Sequence, residues 1–434
     1  MKAAAQVVAE TPPEISQVVE HFFRHEAGKM VATLTGIFGI EHLTLAEDVV
    51  QEALVRALQT WPFYGVPKNP AAWIMRTSRN LAVDVVRRQK VFREKEAEII
   101  HLMDREGLTP DTAIFSESDM TDDTLRMMFV CCHPGIPAEV QVALALKTLC
   151  GFSVTEIARA FLTTDAAVAK RLTRARQKIQ ETRIPFEIPV GEEMARRLDG
   201  VLQSLYLLFN EGYKASGGDK LVREEICQEA IRLTGLLVEH PAGNRPKTHA
   251  LLALMLLDTA RIPARVDREG NLLLLHEQDR SCWSQPMIAR GMFHLAQSAA
   301  GGEISAYHLQ AGIAACHCAA PEYASTDWRQ ILSLYDRLVE LDNSPVVALN
   351  RAIVIANLHG PRAGLDALAA IGDLETLNTY YLLHAVLGEF ESQLNNAKVA
   401  AGHFRKSLEL AEIKTEQVFL AKRLRACEEK VLRT

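Results

Sequence analysis

Apolar residues recur every three to four positions along almost the whole chain, and stretches that alternate with a period of two are scarce. A helix turns once every 3.6 residues, so this spacing lines one helix face with apolar side chains; a half-buried strand needs every second residue apolar. The expected fold class is therefore all-α. With 434 residues, the chain has material for two or three domains of roughly 100–200 residues. Breaks in the periodicity suggest where they lie. A loose tail, Met1–Pro13, precedes a helical block over 14–94. Residues 95–120 are polar and irregular and read as a linker. A compact block follows over 121–183, ended by the two prolines of Arg183–Pro189. An Ala- and Leu-rich helical region fills 191–434. One exception to helix is expected at Ala264–Arg280, where Asp267-x-x-Gly270 reads as a turn and Asn271–His276 as a short strand or extended loop.

The compact block holds the most informative stretch, DAAVAKRLTRARQKI (Asp165–Ile179). On a helix, Val168, Leu172, Ala175 and Ile179 form one apolar stripe. Lys170, Arg171, Arg174 and Lys178 form an arc on the far side, beside Thr173 and Gln177, and Arg176 lies apart. In the preceding SVTEIARAF (Ser153–Phe161), Ser153 and Glu156 form a capping box. Val154, Ile157, Ala158 and Phe161 make its apolar face. Leu162-Thr163-Thr164 is a tight connector, and Thr164 can cap the next helix. Two short helices joined by about three residues, the second basic outside, form a helix-turn-helix pattern suited to duplex DNA. A solvated basic face is the alternative.

In the first block, LTLAEDVVQEALVRALQTW (Leu43–Trp61) is strongly amphipathic. Thr44 and Glu47 read as a capping box. Ala46, Val49, Val50, Ala53, Leu54, Ala57 and Leu58 form its buried face. Asp48, Gln51 and Glu52 remain outside, as a solvated face or a docking surface for a basic partner. WPFYGVPKNP (Trp61–Pro70) reads as an aromatic, proline-rich loop. NPAAWIMRTSRNLAVDVVRRQK (Asn69–Lys90) then puts Trp73, Ile74, Leu81 and Val85 partly inward. Its outward residues are Arg76, Arg79, Asn80, Asp84, Arg87 and Arg88. Aromatic rings beside a basic helix can stack on unpaired bases while the cations hold the backbone. For Trp61, Phe63, Tyr64 and Trp73 taken singly, core packing is the alternative.

AEDVVQEALVRAL followed by PAAWIMRTSRNLAVDVVRR resembles region two of bacterial RNA polymerase sigma factors of the extracytoplasmic-function group. GFSVTEIARAFLTTDAAVAKRLTRARQKI resembles their region four. The resemblance covers about the first 185 residues, in matching order, and implies roles. Asp48, Gln51 and Glu52 would face core polymerase. Trp61, Trp73, Arg76, Arg79, Asn80, Asp84, Arg87 and Arg88 would lie on the minus-ten side of promoter DNA, with the Trp61–Pro70 loop capturing a flipped base. Thr164, Lys170, Arg171, Thr173, Arg174 and Lys178 would serve the minus-thirty-five side. The sequence departs from the group at Leu162, where a glycine is common, and at Val168–Leu172, where the basic charge is shifted by one position.

LYLLFNEGYKAS (Leu205–Ser216), the Ala264–Trp283 stretch and the C-terminal repeat resemble a subgroup of these factors with a tetratricopeptide-like extension. Leu387-Gly388 followed by Ala400-x3-Phe404 fits that helix–turn–helix repeat, and Ser344–Gly360 looks like half of an earlier, degenerate copy. The implied partners are core RNA polymerase, promoter DNA and a protein or small-molecule regulator of the extension.

A net charge of −6 excludes a chain that is basic as a whole, so DNA contact must rest on local charge. No phosphate-cradling loop, zinc-protease motif or nucleophile elbow is present, so no enzyme activity and no cofactor are expected. Cys131-Cys132-His133 and Cys316-His317-Cys318 read as buried thiols rather than a metal site. With no signal pattern and no membrane-length apolar run, a cytoplasmic protein with reduced thiols is expected. Asn210-Glu211 and Glu277–Arg280 near Trp283 read as hydrogen-bond networks or as a ligand pocket. The rival function is a one-component helix-turn-helix regulator with a sensing helical domain.

Overall fold

The computed structural model describes residues 13–88, 117–149, 151–160, 163–182, 184–189, 191–214, 222–241, 243–267, 269–372 and 374–432. Most of the expected linker, together with Phe161 and Leu162, lies outside them. The described residues are helical throughout their regular structure, so the fold is all-α; an isolated antiparallel bridge, Val266–Leu272, stands in place of a strand. The chain forms two compact units, Met1–Ser204 and Leu205–Thr434.

The first unit opens with α1 (Pro13–His25), α2 (Ala27–Phe38), α3 (Leu43–Tyr64) and α4 (Pro70–Arg88). It continues with α5 (Glu117–Cys131), α6 (Ala138–Leu149), α7 (Val154–Ala160) and α8 (Asp165–Thr182). α3 buries Leu43, Ala46, Val49, Val50, Ala53, Leu54 and Ala57, and adds Trp61 to the same stripe. Two expectations for α3 fail. The helix starts at Leu43, directly after a 3-10 turn at Ile40–His42, so Thr44 is already inside it and makes no capping box with Glu47. It also runs through Pro62 to Tyr64, so the first four residues of the expected aromatic loop are helix. Gly65, with φ of 80°, ends it.

α4 starts at proline, with Asn69 Oδ1 accepting from Ala72 N–H at 3.0 Å. Its buried stripe is Ile74, Met75, Ser78, Ala82 and Val86, while Trp73, Leu81 and Val85 are half-buried. Ser78 fits there because its hydroxyl donates to the Ile74 carbonyl at 2.9 Å, which satisfies its own buried polar group. α2 also packs on α5 and α6. Gly28 is what lets α2 approach: a Cβ there would fall inside the Leu149 carbonyl.

α9 (Gly191–Tyr213) ends in the second unit, whose further helices are α10 (Glu224–Glu239), α11 (Pro246–Thr259), α12 (Gln285–Ser298), α13 (Ala306–Ala319) and α14 (Trp328–Leu341). Then come α15 (Pro345–His359), α16 (Pro361–Ala369), α17 (Tyr381–Gln393), α18 (Ala397–Leu410) and α19 (Lys414–Leu432). α11 is buried almost all round and packs on α10, α12 and α13. Later helices pack as consecutive hairpins, α15 on α16 and α17 on α18. Gly388 lies where a Cβ would meet the Phe404 ring at 3.0 Å, and Ala400 is fully buried, so small residues set the close approach. The half-copy at Ser344–Gly360 finds its second helix in α16.

The Ala264–Arg280 exception is an extended loop. Asp267 Oδ1 accepts from Glu269 and Asn271 N–H, both at 2.8 Å, and Gly270 has φ of 83°. The dense cluster is structural: Arg280 donates to the His317 and Ala320 carbonyls at 2.8 and 2.7 Å and lies 4.8 Å from the Trp283 ring centre. Glu211 pairs with Arg223 at 3.0 Å. Among the described residues, no helix is long and apolar enough to cross a membrane.

Burial holds two histidines of this unit neutral. His294 is lowered to about 4, by burial first and then by its neighbours His249 and Arg290. His317 is lowered to about 3, by burial, Arg261 and Arg280. Unfolding returns each to its ordinary value near 6.5, so the unfolded chain takes up protons first as pH falls. The stability present above about pH 6.5 should therefore be lost progressively toward pH 4. A melting series should show this decline, and His294→Gln should make it shallower; an equally steep decline in the variant would remove the assignment.

Candidate nucleic-acid interface

The helix-turn-helix is built from local bonds. Glu156 N–H donates to Ser153 Oγ at 3.1 Å and Ser153 N–H donates to Glu156 Oε2 at 2.8 Å, completing the capping box. Ala167 N–H donates to Thr164 Oγ1 at 3.3 Å, which caps α8. Thr155 Oγ1 also donates to Asp165 Oδ2 at 2.6 Å, tying the start of α7 to the start of α8. Sequence reasoning missed that bond; two capping-type residues at successive helix starts were its signal.

Val168, Leu172, Ala175 and Ile179 are all buried. Thr164, Lys170, Thr173, Arg174 and Lys178 are exposed, whereas Arg171 is half-buried and engaged with neighbours. The outer face of α8 thus presents two lysines, an arginine and a hydroxyl to solvent. Such groups can hydrogen-bond phosphate and base edges.

On α3, Asp48, Gln51 and Glu52 are exposed, and Glu52 accepts from Arg56 Nε at 3.0 Å. An open groove of about 550 Å³ adjoins them, lined by Val19 and Phe23 of α1 and by Gln51, Leu54, Val55 and Leu58. On α4, Arg76, Asn80, Asp84 and Arg87 are exposed. Arg79 is half-buried, and burial lowers its pKa. The Arg88 side chain lies outside the described residues.

The aromatic residues divide differently from expectation. Trp61 is only 2% exposed and packs edge-on against half-buried Trp73, with ring centres 5.5 Å apart. The reason is spacing: Trp61 follows Ala57 by four residues and continues the buried stripe. Phe63 and Tyr64 turn outward instead, 72% and 88% exposed. In this structure they, not Trp61, offer free ring faces.

A polar cluster adds to the helix packing that joins the two blocks. The Glu47 carboxylate on α3 pairs with Arg176 of α8 at 3.0 Å and accepts from Thr148 Oγ1 of α6 at 3.0 Å. Arg176, apart from the exposed arc, thus reaches across 129 sequence positions. The acidic-polar face of α3 and the basic face of α8 both remain exposed.

Three family models match. Residues 25–91 match sigma-70 region 2, residues 126–179 match sigma-70 region 4, and residues 197–299 match a family of unknown function (DUF6596). An uncharacterized protein of Rhizobium meliloti (strain 1021) is 40% identical over 386 residues, covering 88% of this chain and 90% of that protein. No solved structure matches the chain. With both sigma regions in order and a helical region behind them, the chain belongs to the sigma-70-type sigma factors of the extracytoplasmic-function kind that carry a C-terminal extension.

Proposed function

We propose that the protein binds core RNA polymerase and directs initiation at specific promoters, under the influence of its C-terminal helical extension. The observation that carries this reading is the pairing of an exposed acidic-polar patch on α3 with an exposed basic face on α8 in one chain. Asp48, Gln51, Glu52 and the neighbouring groove would take a basic, partly apolar helix of core polymerase. Arg76, Asn80 and Arg87 would track the backbone near the minus-ten element, with Arg79, Asp84 and Arg88 beside them. Phe63 and Tyr64 would stack on an unpaired base. Lys170, Thr173, Arg174 and Lys178 would enter the minus-thirty-five major groove, with Thr164 and Arg171 at its edge. The region-two domain would span 14–94, the linker 95–120, region four 121–183 and the extension 191–434.

This reading implies motion. The two promoter elements are centred about 25 base pairs apart, ~85 Å along B-DNA at about 3.4 Å per base pair. α8 with its 18 residues is only about 27 Å long. While Glu47 holds Arg176, α8 cannot stand that far from α3. The packed unit is then a resting form, and promoter engagement separates α3 from α8.

Run-off transcription with purified core polymerase tests the proposal. A specific transcript that requires the protein supports it; no transcript and no core binding overturns it. Duplex DNA binding without polymerase, unaffected by change at Asp48, would favour a one-component regulator. Arg174→Ala should reduce use of the best promoter by about 5- to 150-fold, corresponding to about 1–3 kcal/mol for a lost base contact. Equal activity of that variant on every promoter tested would mean that Arg174 reads no base.

A further inference from the structure

The second unit holds a half-open cavity of about 440 Å³ that promoter recognition does not use. α9, α11, α13, α14 and α15 wall it. Its size is that of a small-molecule site. A seam between packed helices is normally filled with Leu and Ala. This one instead presents Asp258, Arg261, Gln310, Asn350 and the hydroxyls of Tyr206 and Tyr335. The arrangement is incomplete as it stands. Asp258 and Arg261, which both line the cavity, are only loosely paired, at 3.6 Å, and keep 22% and 15% of their side-chain surface accessible. Arg261 Nε and Gln310 Oε1 are buried with no hydrogen-bond partner.

Charge decides what would complete it. Arg265 donates to the Tyr213 carbonyl at 2.6 Å and lies 4.2 Å from its ring centre. Arg280 is occupied by two backbone carbonyls and Thr326. The Trp283 ring sits 5.4 Å from the Arg261 guanidinium and 4.8 Å from that of Arg280, holding both in place. Two guanidinium groups, Arg261 and Arg265, therefore act on one carboxyl, burial pushes the Asp258 pKa up against their pull, and Arg280 adds a further positive charge beside Arg261. An incompletely paired cation in a weakly screened site attracts an anion, and the planar guanidinium fork matches a carboxylate in two parallel hydrogen bonds. The unpartnered Gln310 oxygen calls for a donor on the same molecule.

We infer that this cavity binds a small organic acid that also carries an amino or hydroxyl group, its carboxylate on Arg261 and its second group within reach of Gln310 and Asp258. The site lies wholly in the extension, so it stands or falls without reference to polymerase.

Melting of the full-length protein tests it, with a panel of amino acids, the matching 2-hydroxy acids, and the amines that lack the carboxylate. At least one acid should raise Tm by about 3 °C or more when saturating, and its amine should not. Arg261→Lys keeps the charge beside Asp258 but loses the planar fork; affinity should fall at least tenfold. Asn350 is exposed at the rim, so Asn350→Trp should block binding with little change in the unliganded Tm. A flat response to the whole panel, amines acting as strongly as acids, or undiminished binding in Asn350→Trp would each overturn the inference.

Discussion

Asp48→Arg should weaken binding to core polymerase at least tenfold, or about 1.4 kcal/mol, without changing the helical circular dichroism or Tm. The fold should be indifferent because Asp48 is exposed on the outer face of α3, while the buried face continues through Val49 and Val50. A surface charge of this kind typically contributes within about 0.5 kcal/mol to stability. In the proposed complex the same carboxylate faces a basic partner. Truncating a desolvated charge pair costs about 2–5 kcal/mol, and reversing the charge adds repulsion to that loss. Glu52 is a weaker choice for the test, because Arg56 already sits 3.0 Å from it. Titration of labelled core polymerase with wild-type and variant protein gives the answer. Equal affinities would remove Asp48, and with it the α3 face, from the docking surface.

Gly28→Ala should destabilise the first unit by about 3 kcal/mol and, at the same time, raise the affinity of the free protein for promoter duplex severalfold. The added methyl group has nowhere to go, because it would fall inside the Leu149 carbonyl at the end of α6. Backbone cannot yield as a flexible side chain would, and overpacking of this kind costs about 1–3 kcal/mol or more. α2 belongs to the segment matching sigma region 2, and α6 to that matching region 4. The variant therefore loosens the packing that keeps these regions together. If the packed unit is a resting form, whatever weakens it shifts the population toward the DNA-competent form. Glu47→Gln is the milder companion, since it removes the ion pair to Arg176 and leaves the helix contacts in place. Urea denaturation reads the first effect and fluorescence anisotropy with promoter duplex the second. A stability loss without any gain in DNA affinity would mean that packing does not restrain α8.

Much of this was legible locally. The stripe and arc of α8, both bonds of the Ser153–Glu156 capping box and the Thr164 cap all follow from residues within one or two turns, whose geometry helix periodicity dictates. Misreadings arose where a local pattern had two solutions. Thr44 and Glu47 have capping-box spacing, but the turn at Ile40–His42 starts the helix one residue before Thr44, so Glu47 turns to Arg176. The prolines of WPFYGVP suggested a loop, yet Trp61 is held in the core by its place in the apolar stripe and by Trp73. Asn210 stood out in the sequence, but nothing marked Asp258, Arg261, Gln310 and Tyr335 as its companions.

By itself, then, the sequence determined the all-α class, the order of two sigma-like blocks before a helical extension, and the basic outer face of α8. Each depends on spacing within a single helix or on the order of segments. Tertiary structure alone decided that Glu47 holds Arg176 and that Trp61 meets Trp73. It also decided that five helices leave a polar cavity around Arg261. These arrangements join residues up to 129 positions apart. Periodicity tells a side chain which way to face along its own helix axis, but only packing chooses the neighbour it meets there.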